Sequence, residues 1–131
     1  MSVRRILSLW GPVAAFAAAL FLLSGQSRIP GSDLVWDKLL HAIGYGAFAL
    51  LALRAFHGGF GPLVPKATAL AFAFTVGYGI TDEIHQSFVP GRSPSALDVV
   101  ADAVGFALAA AALFLWYQAL RGPRVNQGST S

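Results

Sequence analysis

Polar and ionisable side chains recur at helical spacing in this otherwise apolar chain. Asp37, His41 and Tyr45 follow one another at intervals of four residues, which places them on one face of a helix. Carboxylate oxygens bind Mg²⁺ or Mn²⁺ and imidazole nitrogens bind Zn²⁺, so a face of this type can hold a divalent cation. Because the same groups can equally form a structural network of ion pairs, the spacing alone leaves both interpretations open.

Two further stretches carry residues of the same kind. Asp82 stands one turn before both His85 and Gln86, and Asp98 stands one turn before Asp102. We expect three helix ends to bring these polar faces to the same level. No known catalytic string such as His-Glu-x-x-His is present. The candidate ligands of a divalent cation are Asp82, Glu83, Asp98, Asp102, His41 and His85, and the candidates for a catalytic role are Asp82, Glu83, His41 and Asp98.

The rest of the chain is too apolar to fold as a soluble domain. Its 131 residues are 56% hydrophobic and only 11% charged, whereas an average soluble domain has about 25% charged residues. Lipid must therefore replace the polar surface of a soluble domain. The nine Lys and Arg residues form no basic stripe, so no nucleic-acid binding is expected. The absence of cysteine excludes disulfides, thiolate metal sites and a lipid anchor on cysteine.

Four long apolar runs predict an all-α fold, an integral membrane bundle of four transmembrane helices. Stretches rich in Gly, Pro and Ser separate the runs, and these short connections make neighbouring helices antiparallel. In an alternative interpretation the first helix is a signal peptide that is cleaved, which would leave three spans. The predicted domain covers residues 1–121, with helices at about 6–23, 38–56, 67–87 and 96–120, and residues 122–131 are expected to form a disordered C-terminal tail.

Positive charges near the ends of the spans predict the orientation of the bundle. With four spans, six of the nine Lys and Arg residues fall on the side that holds both termini, so both termini are expected to be cytoplasmic. The three on the outer side are Arg28, Lys38 and Arg92. All six acidic residues also fall toward the outer side, and they are Asp33, Asp37, Asp82, Glu83, Asp98 and Asp102.

Helix ends explain some of these charges and leave others unexplained. Asp98 stands where an N-terminal cap is expected. Asp82 and Glu83 stand at a helix C-terminus, where negative charge opposes the helix dipole. A positive partner should therefore compensate these two carboxylates. Lys38, Arg92 or a protonated histidine is available for that role.

Two segments resemble the signature of the VanZ-like membrane protein family. DKLLHAIGYG at 37–46 has an Asp-Lys-x-x-His start, and YGITDEIHQSFVPGRSPSALDVVADAVG at 78–105 has Asp-Glu-x-x-Gln followed by Arg-x-x-x-x-x-Asp. The resemblance implies a VanZ-like transmembrane domain in a small multi-pass protein of the bacterial cytoplasmic (inner) membrane. The name-giving member of the family is linked to low-level teicoplanin resistance. A role in the cell envelope or in the response to glycopeptides is therefore implied.

The motif positions of the family fall on ten residues of this chain, which are the candidate ligand-binding residues. Relatives often have Asn where this chain has Asp102, so the last helix carries an additional negative charge here. The ten residues are Asp37, Lys38, His41, Tyr45, Asp82, Glu83, Gln86, Arg92, Asp98 and Asp102.

Three functions are consistent with this set. In the first, the outer cluster binds an anionic lipid or the head group of a lipid-linked cell-wall precursor, with Lys38 and Arg92 paired to phosphate. In the second, the protein is an intramembrane metal-dependent hydrolase or transferase that acts on a lipid substrate. In the third, it is a small transporter or flippase in which buried carboxylates relay protons. Small residues such as Gly77 and Gly105 would permit close helix contacts within the chain or in a homodimer.

Overall fold

The computed structural model describes residues 1–26 and 34–122, with side chains given from residue 37 onward in the second segment. Four α-helices and no strand occur in these residues, so the predicted all-α fold and its number of helices are confirmed. Arg28, Asp33 and the predicted tail beyond Gly122 lie outside the described residues. The helices are α1 (Val3–Ser24), α2 (Leu34–His57), α3 (Pro65–Gln86) and α4 (Ala96–Arg121).

Local signals in the sequence explain where three of these helices begin. The hydroxyl oxygen of Ser2 accepts a hydrogen bond from the backbone nitrogen of Arg5 at 3.3 Å and caps α1. Pro65 occupies the first turn of α3, where its missing N–H costs nothing, so this helix begins two residues earlier than predicted. The cap of α4 is Ser95, whose hydroxyl accepts from the backbone nitrogen of Leu97 at 3.2 Å. The expectation that Asp98 caps this helix is therefore wrong.

Three of the four helices are long and apolar enough to cross a membrane. The spans lie at Val3–Ser24, Asp37–His57 and Ala96–Arg121, with mean hydropathies of 2.1, 1.6 and 2.1 among the described residues. α3 does not reach the same hydropathy because its last turns carry Asp82, Glu83 and other polar side chains. The expected membrane character is supported by these three helices.

The closest packing in the bundle joins α2 to α4 through two glycines. A methyl group at Gly46 would lie 3.3 Å from the carbonyl oxygen of Gly105, and one at Gly105 would overlap the carbonyl oxygen of Ala42. The two backbones can approach this closely only because neither glycine has a side chain. This contact lies one turn below Asp102 of α4 and next to His41 of α2, so it fixes the spacing between these two polar residues.

α1 packs on the opposite side of α2 through an apolar and aromatic face. Leu9 and Val13 are buried against a cluster that includes Phe48, and the ring of Phe16 stacks on that of Phe48 at 6.0 Å. The hydroxyl of Tyr78 on α3 also donates to the carbonyl oxygen of Ala17 at 2.5 Å. α1 is therefore held against both α2 and α3.

His57 connects the end of α2 to the start of α3 through hydrogen bonds of both ring nitrogens. Its Nδ1 lies 2.8 Å from the carbonyl oxygen of Leu53, and its Nε2 accepts from the backbone nitrogen of Val64 at 3.0 Å. Arg54 donates to the carbonyl oxygen of Ser8 at 2.8 Å and ties this end of α2 to α1. The side-chain donors of Arg54 and His57 at this end therefore bind backbone carbonyl oxygens, whereas Lys38 and Tyr45 at the other end bind carboxylates.

Candidate functional site

The N-terminal turn of α2 carries a lysine that lies between two carboxylates. Lys38 donates from Nζ to Asp98 of α4 and lies 3.6 Å from the carboxylate of Asp37. The Asp98 side chain is only 4% exposed and that of Lys38 is 22% exposed. The amine of Lys38 is thus already paired inside the protein, so it does not present a free positive charge to an anion.

His41, one turn further along α2, bridges the two carboxylates of α4. Its Nδ1 lies 3.0 Å from Asp102 and its Nε2 lies 3.7 Å from Asp98. Asp102 is fully buried at 0% exposure. An imidazolium, which donates from both ring nitrogens, satisfies both carboxylates in this arrangement. The four-residue spacing on each helix therefore brings two matching polar faces together.

Asp82 and Glu83 at the end of α3 are compensated by neutral donors. The hydroxyl of Tyr45 donates to Asp82 at 3.0 Å, and the backbone nitrogen of Ser95 donates to Glu83 at 2.8 Å. Both carboxylates are buried, at 6% and 7% exposure. No described Lys, Arg or His forms an ion pair with either of them. Lys38, one of the cations available for this role, is held instead by the acidic residues of α2 and α4.

Several buried oxygen atoms of this cluster have no hydrogen-bond partner in the described part of the chain. Burial without a partner costs about 1–3 kcal/mol for such a group, so these atoms are unusual in a folded protein. Gln86 is 1% exposed and follows Asp82 by one turn on the same buried face of α3. The atoms are Oδ1 of Asp82, Oε1 of Glu83, Oε1 of Gln86, Oδ2 of Asp102 and Oγ1 of Thr75.

Two expected members of the cluster lie outside it. His85 stacks on the ring of Phe21 at 4.1 Å, and its Nδ1 lies 3.3 Å from the hydroxyl of Ser24, so it faces α1. Arg92 lies in the loop between α3 and α4 and is partly exposed. Among the described residues its guanidinium has no hydrogen bond or ion pair, and only its backbone nitrogen is bonded, to Val89 at 3.1 Å. Of the two described cations predicted on this side, Lys38 and Arg92, only Arg92 therefore has a side chain that remains free to bind a ligand.

One group of side chains is compact enough to hold a metal ion. The ligand atoms of Asp37, His41 and Asp98 all lie within 4.8 Å of one another. Asp102 binds the other nitrogen of His41, as a carboxylate often does behind a metal-bound histidine. Lys38 contacts the same two carboxylates, so its ammonium competes with a cation for this position.

Sequence reasoning missed two residues of the site. Ser95 binds Glu83 through its backbone nitrogen, and Thr75 lies fully buried two turns before Asp82 on α3. A signal existed for both, because Ser95 directly precedes an apolar helix and Thr75 stands seven residues before Asp82. The first marks a helix cap and the second marks the same helix face.

A family model described as VanZ/LLP1 matches residues 3–117 of the chain. The match covers most of the sequence and includes all of the ten candidate residues. No curated protein matches the chain, and no solved structure matches it either.

Proposed function

Because the chain belongs to the VanZ/LLP1 family, we propose that it binds the polar head group of an envelope lipid at the outer surface of the bacterial cytoplasmic membrane. The lipid is a membrane phospholipid or a lipid-linked cell-wall precursor. This activity would act in the cell envelope, including its response to glycopeptides such as teicoplanin. The observation that carries the proposal is the group of buried oxygen atoms on α3 and α4 that have no hydrogen-bond partner among the described residues.

The proposal includes a topology with four spans and both termini in the cytoplasm. α3 lies between two apolar helices in the chain and packs against α2 and α4, so it completes the bundle despite its polar last turn. The excess of Lys and Arg on the side of the termini supports this orientation. The candidate site would then face the outside.

Because the chain has no cysteine, single cysteines can test the topology directly. Cysteines at the exposed positions Ser93, in the α3–α4 loop, and Phe60, in the α2–α3 loop, report the two ends of the bundle. We expect a membrane-impermeant maleimide added to intact spheroplasts to label the first and to leave the second unlabelled. The reverse result would invert the orientation, and labelling of both without membrane disruption would contradict the four-span topology.

Two features of this end of the bundle support head-group binding: buried acceptors and a cation that is free among the described residues. The unpartnered oxygens are buried, and Arg92 lies in the α3–α4 loop, where its side chain is partly exposed. Buried acceptors of this kind are expected to meet donors of a ligand, while Arg92 pairs with a phosphate oxygen. An envelope lipid offers both types of group on one head group.

Native mass spectrometry of protein extracted gently from its own membrane tests this function. We expect a co-purifying lipid on the wild type and its loss from Arg92→Ala. The control is Lys66→Ala, which removes an exposed cation at the opposite end of α3. A wild-type protein that carries no lipid, or equal lipid retention in both variants, would refute head-group binding through Arg92.

A metal-dependent hydrolase or transferase that acts on a lipid is the second candidate, and the compact group of Asp37, His41 and Asp98 supports it. In that case a bound ion would polarise a phosphoryl or carbonyl oxygen of the lipid. Metal analysis of the purified protein decides between the two candidates. A stoichiometric ion that is lost in His41→Gln favours the enzyme, whereas a metal-free protein that retains lipid favours binding alone.

A further inference from the structure

The interior of the candidate site has more negative charge than its own cations neutralise. Four of its carboxylates are buried, each at 7% exposure or less. Asp98 is paired with Lys38, and Asp102 contacts a ring nitrogen of His41. Within the described residues, the other two carboxylates, which stand side by side at the end of α3, have a phenol and a backbone amide as their donors. The two carboxylates would therefore stabilise positive charge on a ligand bound beside them.

Three oxygen atoms at the end of α3 receive no hydrogen bond from any described residue. Asp82 and Glu83 each have one oxygen with a partner and one without. Gln86 adds a third unpartnered oxygen within one turn of the same helix, and it is 1% exposed. These side chains stand on the face of α3 that packs into the bundle, because all three are buried. Three unpartnered acceptors, two of them on carboxylates, are a poor match to the phosphate of an anionic head group.

From this arrangement we infer that the head group bound by the protein carries a primary ammonium, which binds to Asp82 and Glu83. An ammonium offers three N–H donors and one positive charge, so it supplies both of the missing properties. Gln86 then accepts a hydrogen bond from the N–H group that the two carboxylates do not bind. The inference rests on the proposed function and specifies the chemical class of its ligand.

The position of Arg92 is consistent with the same ligand. Arg92 follows Gln86 by six residues, in the loop that leads from α3 to the Ser95 cap of α4. A guanidinium at this position pairs with a phosphate that lies outside the buried carboxylates. The head group therefore has a primary amine and a phosphate, as in an ethanolamine phospholipid or an amine-bearing lipid-linked precursor.

Three phospholipids with the same acyl chains distinguish the effect of positive charge from the effect of N–H donors. Phosphatidylethanolamine has an ammonium with N–H donors, phosphatidylcholine has the same charge without N–H donors, and phosphatidylglycerol has hydroxyl donors without positive charge. Each is added to delipidated full-length protein in detergent, and binding is measured by native mass spectrometry. We expect phosphatidylethanolamine to bind at least tenfold more tightly than either of the others. The double variant Asp82→Asn, Glu83→Gln should remove this preference while retaining phosphate-dependent binding through Arg92.

This experiment can refute the ammonium inference without refuting the proposed function. Equal binding of phosphatidylethanolamine and phosphatidylcholine, or tighter binding of phosphatidylglycerol, would refute the inference that the head group carries a primary ammonium. Lipid binding that depends on Arg92 would remain possible. Absence of binding for all three, together with a bare protein from the native membrane, would overturn both proposals. A lipid-linked precursor with a primary amine that competes with phosphatidylethanolamine would support the inference and identify the second source. Because the comparison of the three lipids uses the wild type, it stands even where the double variant fails to fold.

Discussion

Replacing Gly105 with alanine should force α2 and α4 apart, and the size of the effect follows from the contact. The added methyl group would overlap the carbonyl oxygen of Ala42 and would lie 2.9 Å from the backbone nitrogen of Gly46. Both neighbours are backbone atoms, so no side-chain rotation can make room. Overpacking of this kind costs about 1–3 kcal/mol, and the higher helix propensity of alanine returns about 1 kcal/mol. We expect the free energy of unfolding to fall by up to about 2 kcal/mol, the difference between these opposing effects.

The assay is equilibrium unfolding in mixed micelles, with helix content as the signal. The matched control is Gly77→Ala on α3, where a new methyl group would have nothing within 4 Å. This control should be unchanged or more stable by up to about 1 kcal/mol, since only the helix propensity changes. If the two variants were equally stable, the backbones of α2 and α4 would not be in contact as described, and the reasoning would be refuted.

Gly105→Ala also tests how the packing positions the site. Asp102 stands one turn before Gly105, and His41 directly precedes Ala42. Separation of these helices should lengthen the 3.0 Å contact between His41 and Asp102. We therefore expect lipid retention to fall in Gly105→Ala and to persist in Gly77→Ala, measured on the fraction of protein that remains folded.

Two further changes address the polar contacts of the site, and both are measured by the same unfolding assay. Tyr45→Phe removes the hydroxyl that donates to Asp82 and should cost about 1–3 kcal/mol, because a buried carboxylate loses its donor; no change in stability would contradict this contact. Lys38→Met leaves Asp98 buried without its cation and should cost about 2–3 kcal/mol after allowance for the partial exposure of the lysine. Arg92→Ala should change stability by less than about 0.5 kcal/mol, because its guanidinium holds nothing among the described residues; a larger loss than that of Lys38→Met would reverse the roles assigned to these two cations.

The sequence was sufficient to predict the helices and the side chains that meet at one end of the bundle. Apolar runs bounded by Pro, Gly and Ser predicted four helices, and the alternation of helix directions placed Asp37, Asp82 and Asp98 at the same end. The pairing among these side chains was not predictable in the same way. It depends on the rotation of each helix about its axis, which the contact between Gly46 and Gly105 determines for α2 and α4.

The partner of Lys38 illustrates this difference. The helix dipole correctly identifies Asp82 and Glu83 as carboxylates that need compensation, but it gives no direction in space. The rotation of α4 instead presents Asp98 to Lys38, and Asp82 receives a hydrogen bond from the phenol of Tyr45. Sequence spacing defines which residues share a helix face, whereas the packed backbone decides which faces meet.

The unpartnered oxygen atoms at the end of α3 are unfavourable for stability, and ligand binding would explain why they are present. Each buried acceptor without a donor costs about 1–3 kcal/mol, and apolar residues of similar volume at Asp82, Glu83 and Gln86 would avoid that cost. An apolar last turn would also give α3 the hydropathy that its neighbours have. Stability and membrane insertion would both improve, so neither of them explains these side chains. The proposed ligand, which donates hydrogen bonds and carries positive charge, would explain them, because charge-assisted hydrogen bonds to these carboxylates are among the strongest in proteins.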